Sequence, residues 1–550
     1  MMSSSMTSED ANGGSDRFFS HLDERSDGGL LPKIKEKPPE DGGADASAPG
    51  VSVDMEDDDG TFSWKKFAAF VGPGFLMCIA YVDPGNFESD LQAGCLFGYK
   101  LLWVLLWATL CGLYVQSLCV RLGLATGWNL ARVMRDEYPP AARYSLWIVT
   151  ELAIVASDVP EVIGTALALK LIFGLPTVWG VAVTSMSTLM FLGLQSFGVR
   201  KLEAFMASIM GVMSICFVAQ MGMLDGVEGG EVIVGAVLPV IPDRHALFIA
   251  VSLLGAVVMP HNLFLHSALV LSRTFKMGER SLRSALKYNI AESALALAVT
   301  LFINWAVVIV AARAIRDADF VDPTGERRRD IIERPLQNAP EMLKNVLGTA
   351  AKSLFAAALL ASGQSSTITG TYAGQFVMEG FLEIQINPVL RAFLTRSAAI
   401  IPSLLVTIIA GDEYAEYLIV VSSVILSLQL PFALIPLVKF CGSERVVGVM
   451  ALSPKALRLT HILTSVIVTA NVVLIIQMVA SSGAVDGSVG GVFAGLFFTV
   501  ATVGYCASIA ALARRPVSLD LTERWSARLQ PYGGTGEGAG RQELHDGLEY

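Results

Sequence analysis

An all-α polytopic membrane protein of about twelve transmembrane helices, built as two five-helix repeats of opposite orientation, is the fold class that the sequence predicts. Three observations predict it. Of 550 residues, 53% are hydrophobic and only 16% charged, and the mean hydropathy of +0.55 is far above that of a soluble chain of this size. Apolar stretches of the roughly 20 residues that cross a bilayer recur along most of the chain. Two of them are interrupted by strings of one layout, Asp83-Pro84-Gly85-Asn86 and Met259-Pro260-His261-Asn262, in which proline breaks the helix in mid-span.

Residues 1–62, rich in Ser, Gly, Asp and Glu with an acidic run at Asp54 to Asp59, carry too little apolar surface to order themselves and are expected to form a disordered cytoplasmic tail. No charged n-region and apolar h-region open the chain, so the first span is expected to direct insertion itself. A transmembrane domain follows over 63–513. Its spans are expected near 65–97 (broken), 101–123, 144–173, 177–196, 201–223, 245–272 (broken), 286–313, 346–378, 389–410, 415–440, 460–481 and 489–513. Only Gly174, Leu175 and Pro176 separate the third from the fourth. The first repeat covers about 65–223 and the second about 245–440; the last two spans, about 460–513, are additions, and 514–550 is a second tail.

Basic residues fall mostly in alternate loops: Arg132, Arg135 and Arg143; Arg200 and Lys201; Lys276, Arg280 and Arg283; Arg391 and Arg396; Arg445, Lys455 and Arg458; Arg514 and Arg515. The positive-inside rule makes these loops, and both termini, cytoplasmic. The connection from Arg313 to Lys344 carries Arg327, Arg328 and Arg329 yet is external by parity; it is long and includes balancing acids, so charge guides it poorly. The broken spans are the first and sixth. An odd offset inverts the second copy relative to the first, the signature of transporters whose discontinuous helices meet at the midplane around a substrate.

Composition excludes several functions. The net charge of −10 gives no support to a nucleic-acid partner. Seven cysteines are scattered without a CxxC pair and read as packing residues, with Cys78, Cys95, Cys111, Cys119, Cys216 and Cys506 in apolar runs. There is no Walker A string, no HExxH, no GxSxG and no N-x-S/T acceptor. The chain is not expected to be an enzyme or to hold a cofactor.

At the breaks stand a carboxylate (Asp83), two amides (Asn86, Asn262) and a thioether (Met259). That mixture of hard oxygen and soft sulfur suits a transition metal rather than a sugar or an amino acid. A carboxylate near the bilayer centre costs at least about 2.5–3.5 kcal/mol, so Asp83 should face a cavity, a partner or an ion. Its place before Pro84 also suits a helix cap, and capping and ligation can coexist. Met259 alone would read as packing; beside its polar neighbours it reads as a ligand. The carbonyls of Ala80 and Ala256 lie where unwinding exposes a backbone acceptor, and Gln429, just before Pro431, is an additional candidate ligand.

On the third span Glu151 and Asp158 are seven residues apart, about 700° of helix, and share a face; Glu161 lies within about 80° of it. Such a stripe resembles a proton path, or a structural stripe paired with bases such as Arg396, and one stripe can serve both ends. His261 and His266, five apart, lie on different faces, which speaks against a bis-histidine metal site and leaves each as a proton acceptor, a gate or a satisfied core residue. Gly370 and Gly374 have GxxxG spacing in a Ser/Thr-rich eighth span, read as helix packing.

The motifs GPGFLMCIAYVDPGN (72–86), ASDVPEVIGTALAL (156–169), GAVVMPHNLFLHS (255–267) and ASGQSSTITGTYAGQFVMEGF (361–381) resemble those of the Nramp family of proton-coupled divalent metal transporters, over roughly residues 65–513. The resemblance implies a LeuT-type fold and metal ligation by Asp83, Asn86 and Met259, with Ala80 or Ala256 carbonyls joining in different states and Gln429 in some. It also implies that Glu151, Asp158 and Glu161 belong to the proton route and that His261 lies beside the site. Members that carry magnesium lack the thioether, so Met259 argues for Mn²⁺ or Fe²⁺. The Val159-Pro160 pair departs from many relatives and is expected to bend the third span and shift Glu161.

The function expected is therefore secondary active transport of Mn²⁺ or Fe²⁺, with Cd²⁺, Co²⁺ or Zn²⁺ as further substrates, into the cytoplasm together with protons by alternating access. The metal is substrate, not cofactor; the other partners are the proton and the lipid bilayer, and the reading is compatible with a monomer. Plasma membrane and endosomal or vacuolar membrane are both open. A sodium-coupled amino-acid carrier on the same scaffold is disfavoured because a fixed carboxylate repels an α-carboxylate. A metal-sensing receptor is disfavoured because the tail from Arg514 is only 37 residues and rich in Gly.

Overall fold

The computed structural model describes residues 51–52, 63–70, 81–184, 208, 211–212, 214–219, 221–223, 228–274, 278–316, 331–343, 350–384, 388–481 and 489–529. The expected first tail, except Val51–Ser52, most of the spans at 177–196 and 201–223, the residues 514–550 beyond Leu529, Cys78, Ala80 and the Arg327–Arg329 run lie outside the described residues. Val51–Ser52 pairs in parallel with Arg273–Thr274, a two-residue departure from an otherwise helical chain and from a wholly unstructured first tail.

The first span is α1 (Trp64–Phe70) and α2 (Pro84–Phe97). Tyr81, Val82 and Asp83 are not helical. Asp83 is extended (φ −97°, ψ 169°) and its Oδ1 accepts the backbone N–H of Asn86 at 2.7 Å, so Asp83 caps the half-helix that Pro84 opens. Next come α3 (Leu102–Thr126), the short α4 (Leu130–Glu137) and α5 (Pro140–Phe173). α5 stops at Gly174, whose φ of +70° only glycine adopts without strain, and residues 174–176 are non-helical as expected. It runs unbroken through Pro160.

After α6 (Gly229–Val237) the sixth span is α7 (Arg244–Val257) and α8 (Pro260–Leu269), parted by Val258 and Met259. Pro260 has no N–H to return to the Ala256 carbonyl four residues earlier, so the ladder opens there. α9 (Glu279–Ala314), α10 (Pro335–Met342), α11 (Ala351–Leu382), α12 (Pro388–Ala410), α13 (Asp412–Cys441), α14 (Glu444–Val447), α15 (Pro454–Ser481), α16 (Val489–Arg514) and α17 (Thr522–Leu529) complete the chain. Pro431 and Pro436 lie within α13 without ending it.

Among the described residues six helices are long and apolar enough to cross a membrane. The short α4, α6, α10, α14 and α17 carry no span and were not foreseen. Arg391 and Arg396, counted above as loop charges, are instead buried on α12.

Three pairings set the frame: α5 with α11, α7 with α13, and α2 with α9. Small residues permit each. A Cβ on Gly255 would collide with the Ser423 carbonyl of α13, and one on Gly94 with the Val308 carbonyl of α9. Large apolar side chains such as Ile401, Ile408 and Ile409 on α12 and Ile462 and Val466 on α15 are exposed, as helices facing lipid require.

Candidate metal and proton site

The two breaks meet. Asn86 Nδ2, at the start of α2, donates to Asp83 Oδ1 at 2.8 Å and to the freed Ala256 carbonyl of α7 at 3.2 Å. Asp83 is 4% exposed and Met259 4%, so neither faces acyl chains. Met259 packs with Ala153 and Ala156 of α5 and Leu426 of α13, and its sulfur accepts from Asn262 Nδ2 at 3.4 Å. Gln429, one turn beyond Leu426, is half-buried.

Neighbouring helices hold the unwound segments in place. Ser362 of α11 donates to the Val82 carbonyl at 2.6 Å, satisfying an acceptor that the break strands. A Cβ on Gly164 would stand 2.6 Å from Pro84 Cβ, so only glycine lets α5 come this near. A Cβ on Gly85 would have Asp83 Oδ1, Pro160 Cγ and Ser423 Oγ each at 3.4 Å. Pro160 therefore lies beside the first string, packed against the start of α2.

Four acceptors lack a hydrogen-bond donor: Asn86 Oδ1, Asn262 Oδ1, Gln429 Oε1 and His261 Nδ1. Buried acceptors without partners cost about 1–3 kcal/mol each, and amide oxygens together with a thioether are donor types that a dehydrated divalent transition metal accepts. Asn262, which repeats the Asn86 position in the second string, is one of the two amides that the sequence placed at the breaks.

The carboxylates of α5 do not form one stripe of equals. Glu151 takes two bonds from Arg391, 2.7 and 2.9 Å, and one from Trp147 Nε1 at 3.0 Å. Glu161, 2% exposed, accepts from Thr367 Oγ1 at 2.6 Å and from Arg396 Nη1 at 3.2 Å. Arg396 also donates to Thr367 Oγ1 at 2.7 Å and to the Asp158 carbonyl at 3.4 Å. Arg396 is fully buried, so this pair needs its extra hydrogen bonds to offset desolvation. Asp158 lies against Gly370, its Oδ1 3.4 Å from where a Cβ would be.

That placement corrects the reading of the eighth span. Gly370 and Gly374 do not bring two backbones together; they make room for Asp158 and for the Arg391 guanidinium. The close backbone approach is at Gly363, whose Cβ would stand 3.2 Å from the Glu161 carbonyl. Thr367 and Arg391 are thus parts of the polar network that the sequence left as packing and loop charge.

His261 and His266 are 4% and 1% exposed. Neither ring nitrogen of His266 has a hydrogen-bond partner, and its ring is joined by no described bond to the α5 carboxylates. Further buried acids went unmarked: Glu88 and Asp90 on α2, Glu137 on α4, Glu292 on α9 and Glu416 on α13. Gln92 Nε2 donates to Glu88 at 2.6 Å and the Leu336 amide to Glu416 at 3.0 Å. For Glu88 and Asp90 the signal was an E-S-D triplet one residue after the first string.

Residues 74–477 match the family described as natural resistance-associated macrophage protein-like. The chain is 46% identical over 457 residues to the metal transporter Nramp3 of Oryza sativa subsp. japonica, covering 82% of each. It is 47% identical over 410 residues to the metal transporter Nramp6 of Arabidopsis thaliana, covering 74% of this chain and 77% of that one. Among solved structures, a point mutant of the Eremococcus coleocola manganese transporter superposes with a TM-score of 0.70 at 28% identity, over 84% of this chain and 97% of that one. MhsT in complex with L-phenylalanine superposes with a TM-score of 0.51 at 15% identity over 72% of this chain and 98% of that one, a likeness of fold alone.

Proposed function

The chain belongs to the Nramp family, and from that premise we propose that it is an integral membrane transporter that carries Mn²⁺ or Fe²⁺ into the cytoplasm together with protons. One observation carries the reading: the two unwound segments are hydrogen-bonded to each other and surround themselves with buried oxygen acceptors that no donor satisfies. Asp83 supplies the negative charge, Asn86, Met259 and the Ala256 carbonyl complete the inner set, and Gln429 joins it when α13 moves. Ala80 is assigned the matching role in the first break by the shared layout of the strings.

Met259 supports a transition metal, because Ca²⁺ and Mg²⁺ prefer oxygen throughout. The proton route runs from Asp83 to Asp158 and along Glu161, Arg396 and Thr367 to Glu151 and Arg391, with His261 beside the metal. Both termini are cytoplasmic in this reading: Arg121, Arg132, Arg135, Arg445, Arg515 and Arg524 gather at the end of the molecule where α3, α4, α14 and α17 meet, and basic residues collect on the cytoplasmic side. The test is Mn²⁺ uptake into proteoliposomes under an imposed inward proton gradient. The native chain takes up metal faster with the gradient than without it, and Asp83→Ala abolishes uptake. Gradient-independent uptake would remove the coupling, and full activity of Asp83→Ala would remove the site.

A further inference from the structure

We propose that Ser518 is a phosphorylation site for an arginine-directed serine/threonine kinase, and that its phosphate releases the C-terminal segment from the face made by α3, α4 and α14. The inference rests on the cytoplasmic placement of this end, where ATP and kinases are found. After α16 the chain does not leave the molecule. Lys439 Nζ holds the Leu512 carbonyl at 2.7 Å, the Leu521 amide donates to the Arg445 carbonyl at 2.8 Å, Arg524 lies 4.1 Å over the Trp128 ring, and Trp525 covers Gly448.

The fulcrum of this strap is one carboxylate. Glu137, only 5% exposed, accepts from the Ser518 amide at 3.0 Å, the Ser518 hydroxyl at 3.1 Å and the Leu519 amide at 2.8 Å. Its nearest cation is Arg515, 3.9 Å away. Ser518 itself is exposed and lies in a non-helical stretch between two helices, with Arg514 and Arg515 four and three residues before it, the basic spacing an acidic kinase groove accepts.

Transfer makes a bond from Ser518 Oγ to the γ-phosphorus of ATP and breaks that phosphorus's bond to the β-bridging oxygen. ADP leaves, and the hydroxyl proton passes to the kinase base. The hydroxyl that donated to Glu137 becomes a group of about −1.5 to −2 charge with acceptors only. Set against a buried carboxylate it repels, and it competes for Arg515, the ion-pair partner of Glu137. Because the Leu130 amide of α4 donates to Ser267 Oγ of the broken sixth helix at 2.9 Å, the strap bears on an element that touches the inner half of that helix.

The test uses the full chain in detergent with ATP and a purified arginine-directed kinase. Peptide mass spectrometry should find phosphate on Ser518 and none in Ser518→Ala, and trypsin should cut after Arg524 about tenfold faster in the modified protein. Ser518→Glu should reproduce the faster cleavage, and in a Glu137→Gln background it should add nothing. Absence of phosphate at Ser518 even when Glu137→Gln loosens the strap, or phosphate without faster cleavage, overturns the proposal. Labelling of sealed vesicles separates the premise: modification confined to inverted vesicles supports the cytoplasmic end, and modification confined to right-side-out vesicles overturns both the orientation and the role. Mn²⁺ uptake by Ser518→Ala, expected to equal the native rate, reads the transport function independently of either.

Discussion

At the residue scale the proposed donor set rests on two pieces of local chemistry, a carboxylate that caps its own half-helix and a thioether packed against Ala153 and Ala156 of α5. Oxygen ligands alone would serve calcium as well as manganese, so the sulfur should set the preference. Replacing Met259 with Ala is expected to lower the ratio of Mn²⁺ to Ca²⁺ uptake in proteoliposomes; an unchanged ratio would end the selectivity argument. Arg396 has a different task. It is the fully buried counter-charge of Glu161, and Arg396→Met would strand that carboxylate at a cost of roughly 3–5 kcal/mol. Thermal unfolding in detergent should therefore move to lower temperature in Arg396→Met, and Glu161→Gln should restore much of it in the double variant.

At the element scale the site depends on close approach. α5 reaches the start of α2 only because residue 164 has no side chain: a Cβ there meets Pro84 Cβ at 2.6 Å and Cγ at 2.7 Å. Overpacking of this kind costs about 1–3 kcal/mol, and the displaced group is the half-helix that carries Asp83 and Asn86. Gly164→Ala is expected to lower the unfolding temperature and to reduce metal uptake, whereas Gly504→Ala, with no atom within 4 Å of the new carbon, should change neither. Equal behaviour of the two variants would show that the approach is not needed. The element boundaries were largely legible in the sequence. Proline, glycine caps and apolar length are local signals, so the sixth span parts at Val258 and Met259 and the third stops at Gly174. The short helices were missed for a different reason: Asn129 caps α4 locally, but the contacts that hold α4 to Ser267 and Glu137 to the segment before α17 come from distant parts of the chain.

For the whole molecule, the proposed alternating access would move the α2 and α8 half-helices against a scaffold, and the pairing of α5 with α11 would tie the polar network to that scaffold. Thr367 stands at the joint, donating to Glu161 and accepting from Arg396. Loss of its hydroxyl should loosen coupling more than transport. Thr367→Val is expected to retain Mn²⁺ uptake driven by the metal gradient while losing much of its acceleration by an inward proton gradient. A parallel fall in both rates would assign Thr367 to the metal step instead.

The breaks and the carboxylates of the third span were legible in the sequence alone, because proline acts on its own turn and an acid in an apolar run is conspicuous wherever it folds. Which acid meets which base was decided only in three dimensions. Arg391 and Arg396 look like loop charges until α12 lies beside α5, more than 200 residues away in the chain, and places them on Glu151 and Glu161. Glu137 likewise looks like a surface acid until the C-terminal strap closes over it. Partner choice depends on which helix faces abut, and no local pattern of spacing records that.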